Sequence, residues 1–171
     1  MGPPLQSRTR PWAGVIQGNN EEGLAAMREG LVAWRATGSK YHVPYRLARA
    51  AEAHLIAGEL EDGLLLLAEA SDHGGDFWLA PELPRLKGEL LLHAGRGNEV
   101  EEYLAQALNA AREQRARLLE LRAAMSLARL WRDQGKVQQA HELLAPVYGR
   151  FTEGFDTRDL KEATALLAEL V

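Results

Sequence analysis

Apolar residues recur every three or four positions along most of the chain, which is the spacing of one face of an α-helix. Strand patterns are nearly absent, because β-branched residues are scarce and never alternate with polar residues over a useful length. Glycines interrupt the helical pattern at intervals, and a glycine directly after an apolar-periodic segment is a helix stop signal. The pattern therefore predicts an all-α fold. The predicted helices span residues 12–17 (short or frayed), 21–36, 44–57, 61–72, 80–94, 98–114, 117–134, 137–151 and 158–170.

Four glycines organise an internal repeat. They are Gly18, Gly58, Gly95 and Gly135, separated by 40, 37 and 40 residues. Small residues stand seven positions before the last three of them, namely Ala51, Gly88 and Ala128. Small or apolar residues also recur five, nine and twelve positions after all four glycines. This pattern indicates helical hairpins in which the small residue permits a close approach, and such hairpins bury their apolar faces only by stacking.

A helix-turn-helix unit with small and large residues at these offsets resembles the tetratricopeptide repeat. The matching runs are PYRLARAAEAHLIAG (44–58), RLKGELLLHAG (85–95) and LARLWRDQGK (127–136). The resemblance implies an α-solenoid (an α–α superhelix) of stacked antiparallel hairpins with a C-terminal capping helix. We expect a disordered lead-in (1–11) and one tetratricopeptide-like domain (12–171). That domain comprises a degenerate half-repeat (12–38), three repeats (42–75, 79–115 and 117–151) and the capping helix (157–170).

The chain is most similar to one bacterial group, the repeat tails of large regulatory proteins that carry a class III nucleotide cyclase domain and a P-loop ATPase domain. The matching runs are AAMREGLVAWRATGS (25–39), LELRAAMSLARLWRDQGK (119–136) and LLAPVYGRFTEGFDTRDLKEATALLAEL (143–170). No GxxxxGK[ST] phosphate loop occurs here, so no catalytic activity carries over. The resemblance implies a protein-interaction module, a regulatory or sensing arm in signal transduction. The first repeat departs from the pattern at Pro11 and Gly14, and Pro84 is tolerable only if its helix begins nearby or kinks.

Composition narrows the function classes. Hydrophobic residues make up 46% and charged residues 26%, which is ordinary for a globular protein. The absence of cysteine excludes disulfides, cysteine-ligated zinc and thiol catalysis. A net charge of −4 gives no electrostatic reason to expect nucleic acid or an anionic membrane as partner. The first ten residues lack the apolar core of a signal peptide, which favours a cytoplasmic location.

No catalytic or metal-binding motif stands out. None of the five histidines forms an i, i+4 pair, HExxH and GxSxG are absent, and His54 occupies a large position of its repeat and is expected to pack. Carboxylate pairs lie near helix starts, where they complement the helix dipole. The sequence therefore predicts a non-enzyme with no catalytic residue, no metal and no cofactor.

The remaining candidate site is the inner groove, which the first helices of stacked hairpins line. The positions that line this groove form a stripe along the first helices, and the stripe becomes rich in arginine towards the third repeat. Those arginines could hold an acidic peptide by bidentate bonds. Alternatively the stripe is a solvated face neutralised by Glu52, Glu89, Glu120 and Asp133, or its mixed lining senses a small molecule. The groove candidates are Tyr45, Glu52, Arg85, Glu89, His93, Arg122, Met125, Arg129 and Arg132.

A self-associating structural role is the third hypothesis. Because Pro11 truncates the helix that would cover the first repeat, its end is expected to expose apolar side chains, and solenoid ends need a polar cap. Homodimerisation would then use Leu24, Met27, Leu31 and Trp34. The partner of the chain is predicted to be a protein or peptide, or a second copy.

Overall fold

The computed structural model describes residues 20–39, 42–73 and 77–171. Within those ranges the chain forms eight α-helices and two 3₁₀ turns (Phe77–Leu79 and Gly97–Glu99), without a β-strand. The predicted all-α class is confirmed, and each of these helices begins and ends within three residues of its predicted bounds. The lead-in (1–11) and the helix predicted at 12–17 lie outside the described residues. The helices are α1 (Asn20–Ala36), α2 (Val43–Ala57), α3 (Leu60–Asp72), α4 (Glu82–His93), α5 (Val100–Glu113), α6 (Arg117–Asp133), α7 (Val137–Tyr148) and α8 (Arg158–Glu169).

The chain divides into two compact units, with the boundary between residues 76 and 77. In the first unit α2 packs against both α1 and α3. In the second unit consecutive helices pack together, and α6 packs against all four others. Both units have an aliphatic core, whose fully buried leucines are Leu47 in the first unit and Leu86, Leu90, Leu104, Leu121 and Leu144 in the second.

Four helices end in the same backbone motif. After α2, α4, α5 and α6 one residue adopts a left-handed conformation, and the next N–H donates to the carbonyl five residues back at 2.8–2.9 Å. This is the Schellman motif, in which glycine is the preferred left-handed residue because it has no Cβ. Gly58, Gly95 and Gly135 occupy the position after α2, α4 and α6, as the repeat predicts. After α5 the position is filled by Arg115, with φ 55°.

The small residue in the middle of α4 permits a close helix approach. A Cβ atom placed on Gly88 would lie 2.9 Å from Cδ2 and 3.0 Å from Cγ of Leu104, which is fully buried on α5. The equivalent residues of the other hairpins, Ala51 and Ala128, are also fully buried. The predicted packing role of this position is therefore confirmed at Gly88.

Proline at position 84 is accommodated because α4 begins at Glu82. Pro84 therefore lies in the first helical turn, where a backbone N–H has no partner within the helix.

Candidate functional site

An ion-pair cluster within α4 extends to α6 on the face predicted as the groove, where Nη1 of Arg122 lies 3.8 Å from Oε2 of Glu82. The guanidinium of Arg85 donates to Glu82 at 3.1 and 2.9 Å, and its Nη1 lies 3.0 Å from Oε2 of Glu89. The hydroxyl of Ser126 on α6 donates to the same Glu89 carboxylate. Arg85 is 6% exposed and is therefore an internal ion-pair residue rather than part of an open groove lining.

The basic stripe of α6 is matched by acidic residues of α8. Each of its three arginines pairs with a different carboxylate of that helix, and the pairs are Arg122–Asp159 (3.1 and 3.0 Å), Arg129–Glu162 (3.1 Å) and Arg132–Glu169. The neutralised-face interpretation thus holds for these arginines, although most of the neutralising groups lie on α8. Asp133 pairs with Arg132 as expected, whereas Glu120 pairs elsewhere.

These pairs shift the proton affinities of their members. Burial alone would lower the pKa of Arg122, but the hydrogen bond to Asp159 and the charges of Glu82 and Asp159 together outweigh it, and the pKa is raised. The hydrogen bond to Asp133 raises the pKa of Arg132. Burial works to raise the pKa of Glu162, yet hydrogen bonds from Arg158 and Arg129 hold that pKa below its ordinary value. The directions of these three shifts all favour the charged forms of Arg122, Arg132 and Glu162.

The other groove candidates are scattered. Met125 is 3% exposed and does not line an open surface of its unit. His93 is exposed, and its Nδ1 lies 2.8 Å from the carbonyl oxygen of Glu89. Tyr45 and Glu52 belong to the first unit, where Tyr45 is exposed and Glu52 pairs with Arg49. The structure brings the arginine and glutamate candidates of α4 and α6 onto neighbouring helices. The carboxylates of α8 that pair with the α6 arginines were not predicted.

One of the four residues predicted for the self-association surface, Leu24, is buried. Leu24 is 3% exposed because it packs with Ala53, and Met27 is partly buried against the same cluster. Leu31 and Trp34 are half-buried, and the guanidinium carbon of Arg46 lies 5.3 Å from the centre of a Trp34 ring. The expected exposure of Leu24 is therefore wrong, because α2 covers it.

His54 is buried, as its large position in the repeat predicts, and it lies beside two carboxylates. Its Nδ1 is 2.8 Å from Oε2 of Glu59 and 4.0 Å from Oδ2 of Asp62. These are ligand types that a metal ion accepts. Arg28 of α1, however, pairs with both carboxylates, so a cation would have to displace its guanidinium. Arg28 therefore already supplies one positive charge to this pair of carboxylates.

A cavity of about 550 Å³ opens on the second unit, where the α5–α6 turn faces the end of α7. Its charged lining comprises Arg112, Arg115, Arg117, Arg150, Glu120 and Glu142, and its aliphatic wall comprises Leu143, Pro146 and Val147. We call this the turn pocket. None of these residues was predicted as a binding residue, and Glu120 was considered only as a neutralising charge for the α6 stripe. A signal existed, since AREQRAR (111–117) puts three arginines around a turn that lacks the usual glycine.

One carboxylate anchors the floor of the turn pocket. Oε1 of Glu120 accepts hydrogen bonds from Nε of Arg112 at 3.1 Å, and it lies 2.6 Å from Nη2 of Arg150. The Glu120 side chain is 5% exposed. Burial works to raise its pKa, but the hydrogen bonds and charges of Arg150 and Arg112 outweigh it and hold the pKa below the ordinary 4.5. Glu120 therefore stays ionised and ties α5, α6 and the segment that follows α7 together.

Acid is expected to destabilise the chain partly through Glu120. Because its folded-state pKa lies below 4.5, its contribution is complete above that pH and is lost as the pH falls through the folded-state value. We expect Glu120→Gln to lower the free energy of unfolding at pH 7 by about 1–3 kcal/mol, since it removes a buried charge that two arginines use. The variant should also lose less stability than the wild type below pH 4.5. Urea denaturation at pH 7, 5, 4 and 3.5 measures both effects, and parallel pH profiles would contradict this assignment.

None of the described helices combines the length and apolar character that a membrane crossing requires. A comparison with models of protein families finds no match to the chain, and a comparison with curated proteins finds none either.

Proposed function

We propose that the chain is a non-catalytic protein-interaction module of tetratricopeptide type, which serves as a regulatory or sensing arm in cyclase- or ATPase-type bacterial signalling. Stacked hairpins suit this role because each repeat adds surface to one extended binding face. The resemblance of the repeat runs and of the closing segment (151–170) supports the bacterial assignment.

The observation that carries the proposal is the spacing of contacts between alternate helices. Ser126 and Glu89 join α6 to α4, and two arginine–carboxylate pairs join α6 to α8. These three pairs each connect residues that are 37 positions apart. This spacing is close to the 37 and 40 residues between the turn glycines. Helices α4, α6 and α8, each the first helix of a proposed repeat or the capping helix, therefore meet through corresponding positions of the repeat. That is the arrangement expected of repeats stacked side by side.

The partner we propose is an acidic segment of another protein. Arg129 and Arg132 lie at the edge of the α6 stripe, with 37% and 32% of their side chains exposed. Their partners Glu162 and Glu169 are also partly exposed, so these ion pairs contribute little net stability. A carboxylate-rich partner can therefore replace α8 carboxylates at this edge without a large cost.

Charge reversal at Arg129 tests this proposal. Immobilised wild type is expected to capture a specific bacterial protein, and Arg129→Glu is expected to reduce that capture at least ~10-fold because it places like charge opposite an acidic partner. Quantitative mass spectrometry of the captured proteins from a bacterial lysate provides the measurement. Recombinant partner then gives Kd for both forms.

The matched control is Arg96→Glu, which makes the same charge change at the α4–α5 turn. It should capture the same protein as the wild type. Equal capture by the Arg129→Glu variant, or the absence of any protein captured above an empty support, would contradict the proposed function.

A further inference from the structure

The turn pocket carries more positive charge than its own residues neutralise. Arg112 and Arg150 share Glu120, whereas Arg115 and Arg117 form no side-chain hydrogen bond or ion pair within the part of the chain that the structure describes. Four arginines against two glutamates leave a formal charge of +2 in one cavity. Guanidinium groups gathered around an open cavity favour an anionic ligand.

The backbone at Arg115 supports the same conclusion independently. The corresponding residues after α2, α4 and α6 are glycines with φ of 72–81°, and Arg115 makes the same Schellman contacts at φ 55°. A left-handed conformation is unfavourable for a residue that bears a Cβ, and such outliers cluster at ligand sites. Arg115 therefore lines the turn pocket at a conformational cost that glycine would avoid.

We propose that the turn pocket binds a phosphomonoester, with the phosphate held by Arg115 and Arg117 and the organic part against Pro146 and Val147. A phosphomonoester carries a charge near −2 in one group at neutral pH, which matches the charge of the pocket. Arginine forks fit phosphate oxygens in pairs. The cavity of about 550 Å³ exceeds what phosphate alone fills, and its wall is aliphatic rather than aromatic. The organic part is therefore aliphatic. This ligand site is separate from the protein-binding face proposed above.

The test uses butyl phosphate and inorganic phosphate as probes with the full chain. Calorimetry and the backbone NMR shifts of residues 112–117 and 143–150 report binding up to ~10 mM ligand, at constant ionic strength set with chloride. Butyl phosphate should bind more tightly than inorganic phosphate because of its aliphatic part. Arg115→Gly should weaken butyl phosphate binding at least ~10-fold, since a charged hydrogen bond is lost.

The Arg115→Gly variant separates a ligand-binding role of Arg115 from a purely structural one, because the substitution should raise stability while it lowers the affinity for butyl phosphate. The same substitution relieves the left-handed backbone, so it should raise Tm without ligand by about 2 °C while it weakens binding. Arg117→Gln should weaken binding without that rise. Arg96→Gln, at the α4–α5 turn, should leave phosphate affinity unchanged.

Three results would overturn the proposal. The first is absence of butyl phosphate binding up to ~10 mM. The second is equal affinity of the wild type and Arg115→Gly, which would remove Arg115 from the site. The third is tighter binding of glutarate than of butyl phosphate, which would assign the pocket to carboxylates instead.

Discussion

Replacing Gly88 with valine is expected to lower the free energy of unfolding by about 2–3 kcal/mol, because the new Cβ and its methyl groups overlap a packed leucine. The Cβ position lies 2.9 Å from Cδ2 of Leu104 and 3.5 Å from Cβ of Tyr103. Leu104 is fully buried, and because protein cores are closely packed, we expect that turning it away from the new side chain shifts its neighbours. Urea denaturation followed by circular dichroism at 222 nm measures the loss.

A second substitution tests whether the overlap is the cause. Leu104→Ala alone should cost about 3–5 kcal/mol through the cavity it creates. Combined with Gly88→Val, it should cost less than the sum of the single changes, because the valine fills part of that cavity. The control is Gly30→Val on α1, where a Cβ meets no atom within 4 Å and stability should change by less than about 1 kcal/mol. Additive losses would show that Gly88 and Leu104 do not interact.

Replacing Arg85 with methionine is expected to cost about 3–5 kcal/mol, since it removes the cation shared by two carboxylates in a partly buried setting. The Arg85 side chain is 7% exposed, and those of Glu82 and Glu89 are 10% and 19% exposed. The penalty arises chiefly from carboxylates left without their main counter-charge. Denaturation at neutral pH, compared with the wild type, measures it.

Neutralising the carboxylates should reverse much of that loss. We expect the triple variant with Arg85→Met, Glu82→Gln and Glu89→Gln to regain at least about half of the stability lost in Arg85→Met. Arg158→Met is the control, since Arg158 pairs with Glu162 while 59% exposed, and it should cost less than about 1 kcal/mol. A triple variant no more stable than Arg85→Met would mean that lost packing of the arginine stem dominates.

The bounds of the described helices could be predicted from sequence patterns that act over a few residues. Apolar spacing and turn glycines act over a few residues, so α2 and α6 were predicted to within one residue at each end. The close approach at Gly88 was predictable too, because only a small residue fits the offset seven positions before a turn glycine. These features depend on neighbours along the chain.

Features that depend on distant segments were missed. Arg112, at the end of α5, and Arg150, after α7, are 38 positions apart, which is one repeat spacing, but that both share the Glu120 carboxylate depends on how α5, α6 and α7 pack. The exposure predicted for Leu24 failed because α2 covers that residue. The acidic residues of α8 at positions 159, 162 and 169 were visible in the sequence, but their pairing with α6 depends on how the two helices pack.

The position of α6 against all four other helices of the second unit has a consequence for how this unit opens. We expect the amide protons of α6 to exchange most slowly, because exposing this helix breaks contacts to every neighbour, so their exchange rates should report the cooperative unfolding of the whole unit. Helix α8 packs mainly against α6 and α7, and three ion pairs, two of them partly exposed, join it to α6. It can therefore detach as a smaller cooperative element, and salt speeds its exchange more than that of α6.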